Sequence, residues 1–269
     1  EVVVEASDGS NGSQIAEIIC KTGEKIVGKS SKGAEKFVIT ESSQNGESTT
    51  VTIIATDYAG NQTVVTDRVF VDRDAPKALI QGVEDYTITS KPVQVSYLAE
   101  EENVIQTVRA NILKEDIDGK KEETEITEWK TKSRNESGDT KKESVQTLAE
   151  DGLYKLRMNV TDMAGNVSHA ERQLIIDKEN PVIAHVDELD GKYLKKFSWN
   201  YSIEESIKDF TNYTYVMKVD DAFYRPGEKI EKEGVHVLTI EAFDSAGNKG
   251  EAKARFTIDH TPPVIEFEG

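Results

Sequence analysis

Apolar and polar residues alternate in three stretches of this chain. Thr49, Val51, Ile53 and Ala55 stand two residues apart, as do Tyr154, Leu156, Met158 and Val160, and His236, Leu238, Ile240 and Ala242. A period of two predicts a strand with one buried face. Each run leads into Asp-x-Ala-Gly-Asn: "DYAGN" at 57–61, "DMAGN" at 162–166 and "DSAGN" at 244–248. A second alternating run follows each motif. Val69 and Val71, Leu174 and Ile176, and Phe256 and Ile258 hold its apolar face, while Phe70, Ile175 and Thr257 between them vary freely. The chain therefore repeats strand, tight turn, strand.

The turn chemistry agrees. Gly60, Gly165 and Gly247, each followed by Asn61, Asn166 or Asn248, are residue types that accept positive φ, as hairpin loops require. The Asp at the head of each motif can accept hydrogen bonds from loop N–H groups, as in Asx turns. The motif reads as a braced turn. Whether Asp57, Asp162 or Asp244 also helps to hold an ion stays open at this point.

The repeat continues beyond the hairpin. Asp72, Asp177 and Asp259 follow the motif Asp by 15 residues, and Pro76, Pro181 and Pro263 come 4 residues later. Proline fixes φ and marks a short linker. "VQVSYLAEEEN" at 93–103 matches "FSWNYSIEES" at 197–206 in pattern, placing Val93, Val95 and Tyr97, and Phe197, Trp199 and Tyr201, on one face of an opening strand. "EVVVEASDGS" holds that place in the first copy, with too few residues ahead of it for a complete unit. The motifs lie 105 and then 82 residues apart, and the extra length around 114–148 is dense in charge. It predicts a long hairpin turning at Asp118–Gly119 and then a solvated loop near 133–142.

No amphipathic helix stands out. The expected fold is all-β, three tandem immunoglobulin-like β-sandwich domains in an elongated array. Domain one spans 1–73 and lacks its first strand; domain two spans 74–178 with the charged insertion; domain three spans 179–261; residues 262–269 begin a further unit.

Composition narrows the function. The formal charge of −17 leaves no basic excess to displace counterions from phosphate, which argues against nucleic acid. Cys20 is the single cysteine, so there is no internal disulfide and no Cys-rich zinc site. It sits in an apolar, strand-like run and reads as a buried thiol. No run of about 18 apolar residues inserts into a membrane.

These segments resemble the bacterial Ig-like domains of Gram-positive cell-surface and secreted proteins, whose pattern ends in an alternating strand, D-x-A-G-N, an apolar strand and I-D-x-T-x-P. The resemblance rests on "DGLYKLRMNVTDMAGN" with "LIIDKENPVI", "EGVHVLTIEAFDSAGN" with "FTIDHTPPVI", and "ESTTVTIIATDYAGN" with "VFVDRDAPKAL". The family's Tyr eight residues before the motif Asp is replaced by Thr49 and His236, so a tyrosine-corner brace is expected only at Tyr154. The resemblance implies an extracellular, non-enzymatic scaffold or stalk spacing the neighbouring domains of a longer parent protein. Two other readings are an adhesin that binds host protein or glycan through domain two, and an accessory region of a secreted carbohydrate-active enzyme.

Candidate chemistry is sparse. His169, His185, His236 and His260 form no metal-ligand pattern, and no phosphate loop or nucleophile elbow occurs. Calcium is the metal to weigh, because carboxylates gather near the linkers: Asp57, Asp72 and Asp74 at the first, Asp162 and Asp177 at the second. "KEDIDGKKEETE" at 114–125 imitates a calcium loop but opens on Lys114 where a carboxylate is needed, and a hairpin explains it better. Trp129 is the candidate ligand contact for a glycan, while Trp199 reads as core.

Overall fold

The computed structural model describes residues 2–10, 12–39, 46–102, 104–130 and 139–267. Chain contacts divide it into two compact units. One comprises residues 1–76 with 162–167, the other 77–161 with 168–269.

The first unit contains β1 (Val2–Glu5), β2 (Ile15–Thr22), β3 (Lys25–Ser30), β4 (Ala34–Phe37), β5 (Ser48–Asp57) and β6 (Gln62–Phe70). They form a four-stranded sheet in the order β3-β2-β5-β6 and a two-stranded sheet, β1-β4. Ile18, Cys20, Phe37 and Val51 are buried between the sheets, with Val2, Val4, Ile53, Ala55 and Val69 packed against them. Burial raises the pKa of the Cys20 thiol, so the buried reading of this residue fits the structure.

The second unit holds two further groups of strands, each with its own buried cluster. β7 (Lys77–Gln81), β8 (Thr87–Thr89), β9 (Val93–Glu100), β10 (Ile105–Glu115), β11 (Lys121–Lys130), β12 (Lys141–Leu148), β13 (Gly152–Asp162) and β14 (Val167–Ile176) follow in sequence. They form a five-stranded sheet, β11-β10-β13-β14-β8, facing a three-stranded one, β12-β9-β7. Tyr154, Leu156, Met158, Val160, Leu174 and Ile176, the residues whose alternation announced these strands, are all buried in the core between the sheets. Then come β15 (Val182–Ile183), β16 (Tyr193–Leu194), α1 (Ile203–Ser206), β17 (Ile207–Lys208), β18 (Tyr213–Val219), β19 (Ala222–Phe223), β20 (Gly234–Asp244) and β21 (Lys249–Ile258). Their sheet runs β16-β21-β20-β18-β19, with β15 paired to β17. A separate core collects Leu238, Ile240, Ala242, Phe256 and Ile258 with Phe197 and Trp199. In both groups the last long strand is joined at its far end by a short parallel strand, β8 on β14 and β16 on β21.

One predicted strand is corrected. Phe197, Trp199 and Tyr201 do not share a strand face. Phe197 makes a single bridge to Ile230, Trp199 is buried, and Tyr201 is exposed, stacked on His185 at 4.0 Å. The cause lies in the following residues. Ser202 caps α1 through a capping box with Glu205, which turns the chain before a ladder can extend. The Trp199 amide donates to the Tyr224 hydroxyl at 2.8 Å instead of to a neighbouring strand.

Candidate functional site

The three Asp-x-Ala-Gly-Asn turns share one geometry. Each hairpin closes with the motif Asp N–H donating to the Asn carbonyl: Asp57 to Asn61 at 3.0 Å, Asp162 to Asn166 at 3.1 Å and Asp244 to Asn248 at 3.2 Å. The glycines lie at φ +89°, +94° and +91°, in the left-handed region where a Cβ is strained. One carboxylate oxygen of each Asp accepts the Asn backbone N–H, at 2.8, 2.8 and 2.7 Å. The other oxygen accepts the Asn side-chain amide, at 2.7, 2.8 and 2.7 Å. Hydrogen bonding to the charged form, from the Asn61 side chain above all, holds the Asp57 carboxyl below its usual range.

The calcium-loop mimic is the same turn with Asp118 in place of the motif Ala and Lys120 in place of the motif Asn. Asp116 N–H donates to the Lys120 carbonyl at 3.0 Å, Asp116 Oδ1 accepts Lys120 N–H at 2.8 Å, and Gly119 sits at φ +78°. The hairpin expected at Asp118–Gly119 is present, with Asp116 as its brace. The solvated loop expected after it falls largely on 131–138, outside the described residues.

Asn at the last motif position also reaches outside the turn. Within the first unit, Asn166 Nδ2 donates to the Asp72 backbone carbonyl at 3.2 Å. Within the second, Asn248 Nδ2 donates to the Asp177 carbonyl at 2.8 Å. The accepting residue is the linker Asp of the preceding copy each time. A planar amide with two donors can close its own turn and hold a linker at once. Gly250 tightens the second instance, since a Cβ there would lie 2.1 Å from the Pro181 carbonyl oxygen.

The corner brace occurs twice, correcting the expectation that only Tyr154 makes it. Tyr154 Oη donates to the Glu150 carbonyl at 2.8 Å. His236 Nε2 makes the equivalent bond to the Lys232 carbonyl at 2.7 Å. A carbonyl can only accept, so Nε2 carries the proton. His236 Nδ1 meets Asp220 Oδ2 at 2.6 Å. Burial raises the Asp220 carboxyl, but the Val237 N–H and the His236 ring more than offset this and hold it below its usual value. The signal in sequence was the position itself: a second ring donor at the same offset.

Of the calcium candidates, Asp57, Asp72, Asp74 and Asp162 join no converging group of three ligands among the described residues, whereas Asp177 does. Asp72 Oδ1 accepts Asp74 N–H at 3.1 Å, Asp74 is exposed, and Asp57 and Asp162 are engaged in their turns. Among the described residues, the acidic groups that converge are Asp177, Asp209 and Asp244, with one oxygen from each within 4.8 Å of the others. Pairing of Ile183 with Ile207 and Val182 with Lys208 sets Asp209 beside the linker, and the β20 end supplies Asp244. Trp129, the candidate ligand contact, is half-buried against the core, with the Lys142 ammonium 4.2 Å above its ring. A polar hollow of about 600 Å³ on the same sheet is lined by Arg109, Asn111, Glu123, Glu125 and Glu128; Arg109 is already paired with Glu128 at 2.9 Å.

Residues 104–178 match the family model of the bacterial Ig-like domain. No curated protein matches the chain. Among solved structures, a tetra-tandem repeat from the extending region of a large adhesion protein is similar at 15% identity, over 95% of this chain and 68% of that one, with a TM-score of 0.38. The immunoglobulin domains 1–5 of Sidekick-1 align at 11% identity over 95% and 56% with a TM-score of 0.38. Fibronectin(III)-like modules of Clostridium thermocellum CbhA align at 12% identity over 70% and 100% with a TM-score of 0.26. Among the described residues no helix is long and apolar enough to cross a membrane.

Proposed function

We propose that this chain, which carries a bacterial Ig-like domain at 104–178, is part of a non-enzymatic, extracellular scaffold or stalk made of three such modules, at 1–73, 74–178 and 179–261. Three separate cores support that division. The observation that carries the reading is the repeated use of one motif. The most polar, most regular residues of the chain spend their hydrogen bonds on closing turns and gripping linkers, at Asp162–Asn166–Asp72 and again at Asp244–Asn248–Asp177. Such groups transmit load and fix geometry.

The test is a binding screen of the full chain against glycans and extracellular matrix proteins at physiological salt. A scaffold gives no saturable binding. Saturable binding that disappears in Trp129→Ala, or when Glu123, Glu125 and Glu128 become Gln, would replace the scaffold reading with an adhesive one.

A further inference from the structure

Asp177 is 1% exposed, and its Oδ2 is buried without a hydrogen-bond partner. The other oxygen accepts Glu179 N–H at 3.3 Å. A buried carboxylate with an orphaned oxygen is costly unless something cationic or donating meets it. The Thr211 hydroxyl lies near enough to lower the Asp177 carboxyl, but its one proton is contested. Thr211 directs its proton to Asp209 Oδ1 at 3.1 Å and takes the Ser245 N–H at 3.4 Å. Two further carboxylates converge on the same place, which compounds the cost.

The geometry points to a calcium site formed by Asp177, Asp209 and Asp244. Two oxygens bound to one calcium at 2.3–2.6 Å stand at most about 4.6–5.2 Å apart, whereas magnesium, at 2.0–2.1 Å, demands about 4.2 Å or less. Oxygens within 4.8 Å of one another lie inside the calcium span, and three converging carboxylates suit calcium better than magnesium, which keeps several waters and takes one or two carboxylates. Three carboxylates supply three to six of the six to eight oxygens calcium takes, leaving positions for water. The ligands remain able to bind while doing their structural work. Asp244 accepts Asn248 with both oxygens and Asp209 accepts Thr211 N–H at 2.8 Å, but each ionised oxygen has a second lone pair. Access exists through a cleft of about 430 Å³ lined by Asp177 and Asp209, with Asp151, Glu179 and Lys208 at its wall.

This site shares Asp177 with the linker groups weighed from sequence but replaces Asp162 by the motif Asp of the following copy, Asp244, and adds Asp209, which no repeat marks. It uses residues of the second compact unit alone. It does not depend on the scaffold reading, since an adhesive chain would keep it.

The experiment is calorimetric titration of calcium chloride into the chelator-stripped full chain, with magnesium chloride in parallel, for the native sequence, Asp177→Asn and Asp209→Asn. Both substitutions keep an acceptor oxygen for Glu179 or Thr211. The native chain is expected to bind one calcium saturably in the sub-millimolar to millimolar range typical of extracellular modules, about 10⁻⁴–10⁻³ M, and magnesium at least about tenfold more weakly. Each substitution is expected to weaken calcium at least about tenfold. Without calcium, Asp177→Asn melts no lower than the native chain, because it removes an unpaired buried charge. The site is overturned if no saturable heat appears up to about 10 mM, if magnesium binds as well as calcium, or if both variants bind like the native chain. If Asp177→Asn fails to fold, Asp209→Asn decides.

Discussion

Asn61, Asn166 and Asn248 occupy one position of one turn, yet their side chains carry different loads. Asn61 holds Asp57, whereas Asn248 holds Asp244 and the Asp177 carbonyl together. Asn248→Ala should therefore cost about 1–3 kcal/mol and Asn61→Ala about 1 kcal/mol or less. Urea unfolding of the full chain measures both, and equal losses would show that the linker bond contributes nothing. Tyr154→Phe should cost about 1 kcal/mol for its single bond to Glu150. Asp177 contributes a pH response of definite sign. Burial, opposed by a Thr211 hydrogen bond and reinforced by the charges of Asp209 and Asp244, pushes its carboxyl up to about 6, against about 3.9 when unfolded. The folded state then binds more protons between those values. With calcium removed, Asp177's share of the stability is intact below about pH 4, falls as pH rises to about 6, and is flat above. Asp209, Asp244, Asp151, Glu179 and Lys208 face the same space. Melting curves across this range should show that decline in the native chain and not in Asp177→Asn; the same slope in both would refute the assignment. The turn chemistry was legible because Asp, Gly and Asn each declare a local conformation. The work of His236 was not, because the brace is expected from a phenol and a ring nitrogen at the same offset does it equally well.

At the scale of elements, the paired strands around each motif could be read from alternation alone, since a period of two has one meaning once both runs flank a tight turn. Tyr154 to Val160 and His236 to Ala242 are buried at every second residue. The segment 197–201 shows where this fails. It alternates aromatic and polar residues, but the Ser202 capping box downstream decides its path. Asp209 was invisible for a related reason: it reaches Asp177 only because β15 pairs with β17, a contact between residues far apart in sequence with no periodic signal of their own. Gly250 tests how closely these elements fit. Gly250→Ala would put a Cβ 2.1 Å from the Pro181 oxygen, which the backbone must yield to, at a cost of about 1–3 kcal/mol. Ser168 stands at the corresponding place in the previous copy, so Ser168→Ala serves as the mild control in the same thermal melt. A neutral Gly250→Ala would mean the linker is looser than described.

For the whole molecule, the scaffold reading requires that each core stand by itself. Leu156 and Ile240 are both fully buried, in different clusters, so Leu156→Ala and Ile240→Ala should each remove about 2–5 kcal/mol from a different calorimetric transition. Loss from one shared transition would contradict separate modules. The central claim, three modules that each unfold by themselves under force, is tested most directly by stretching single full-length chains between a surface and a probe. The account predicts three successive unfolding peaks, each releasing roughly 200–350 Å of chain at about 3.4 Å per residue. A chain that extends without resolved peaks, or in one all-or-none rupture, would contradict it.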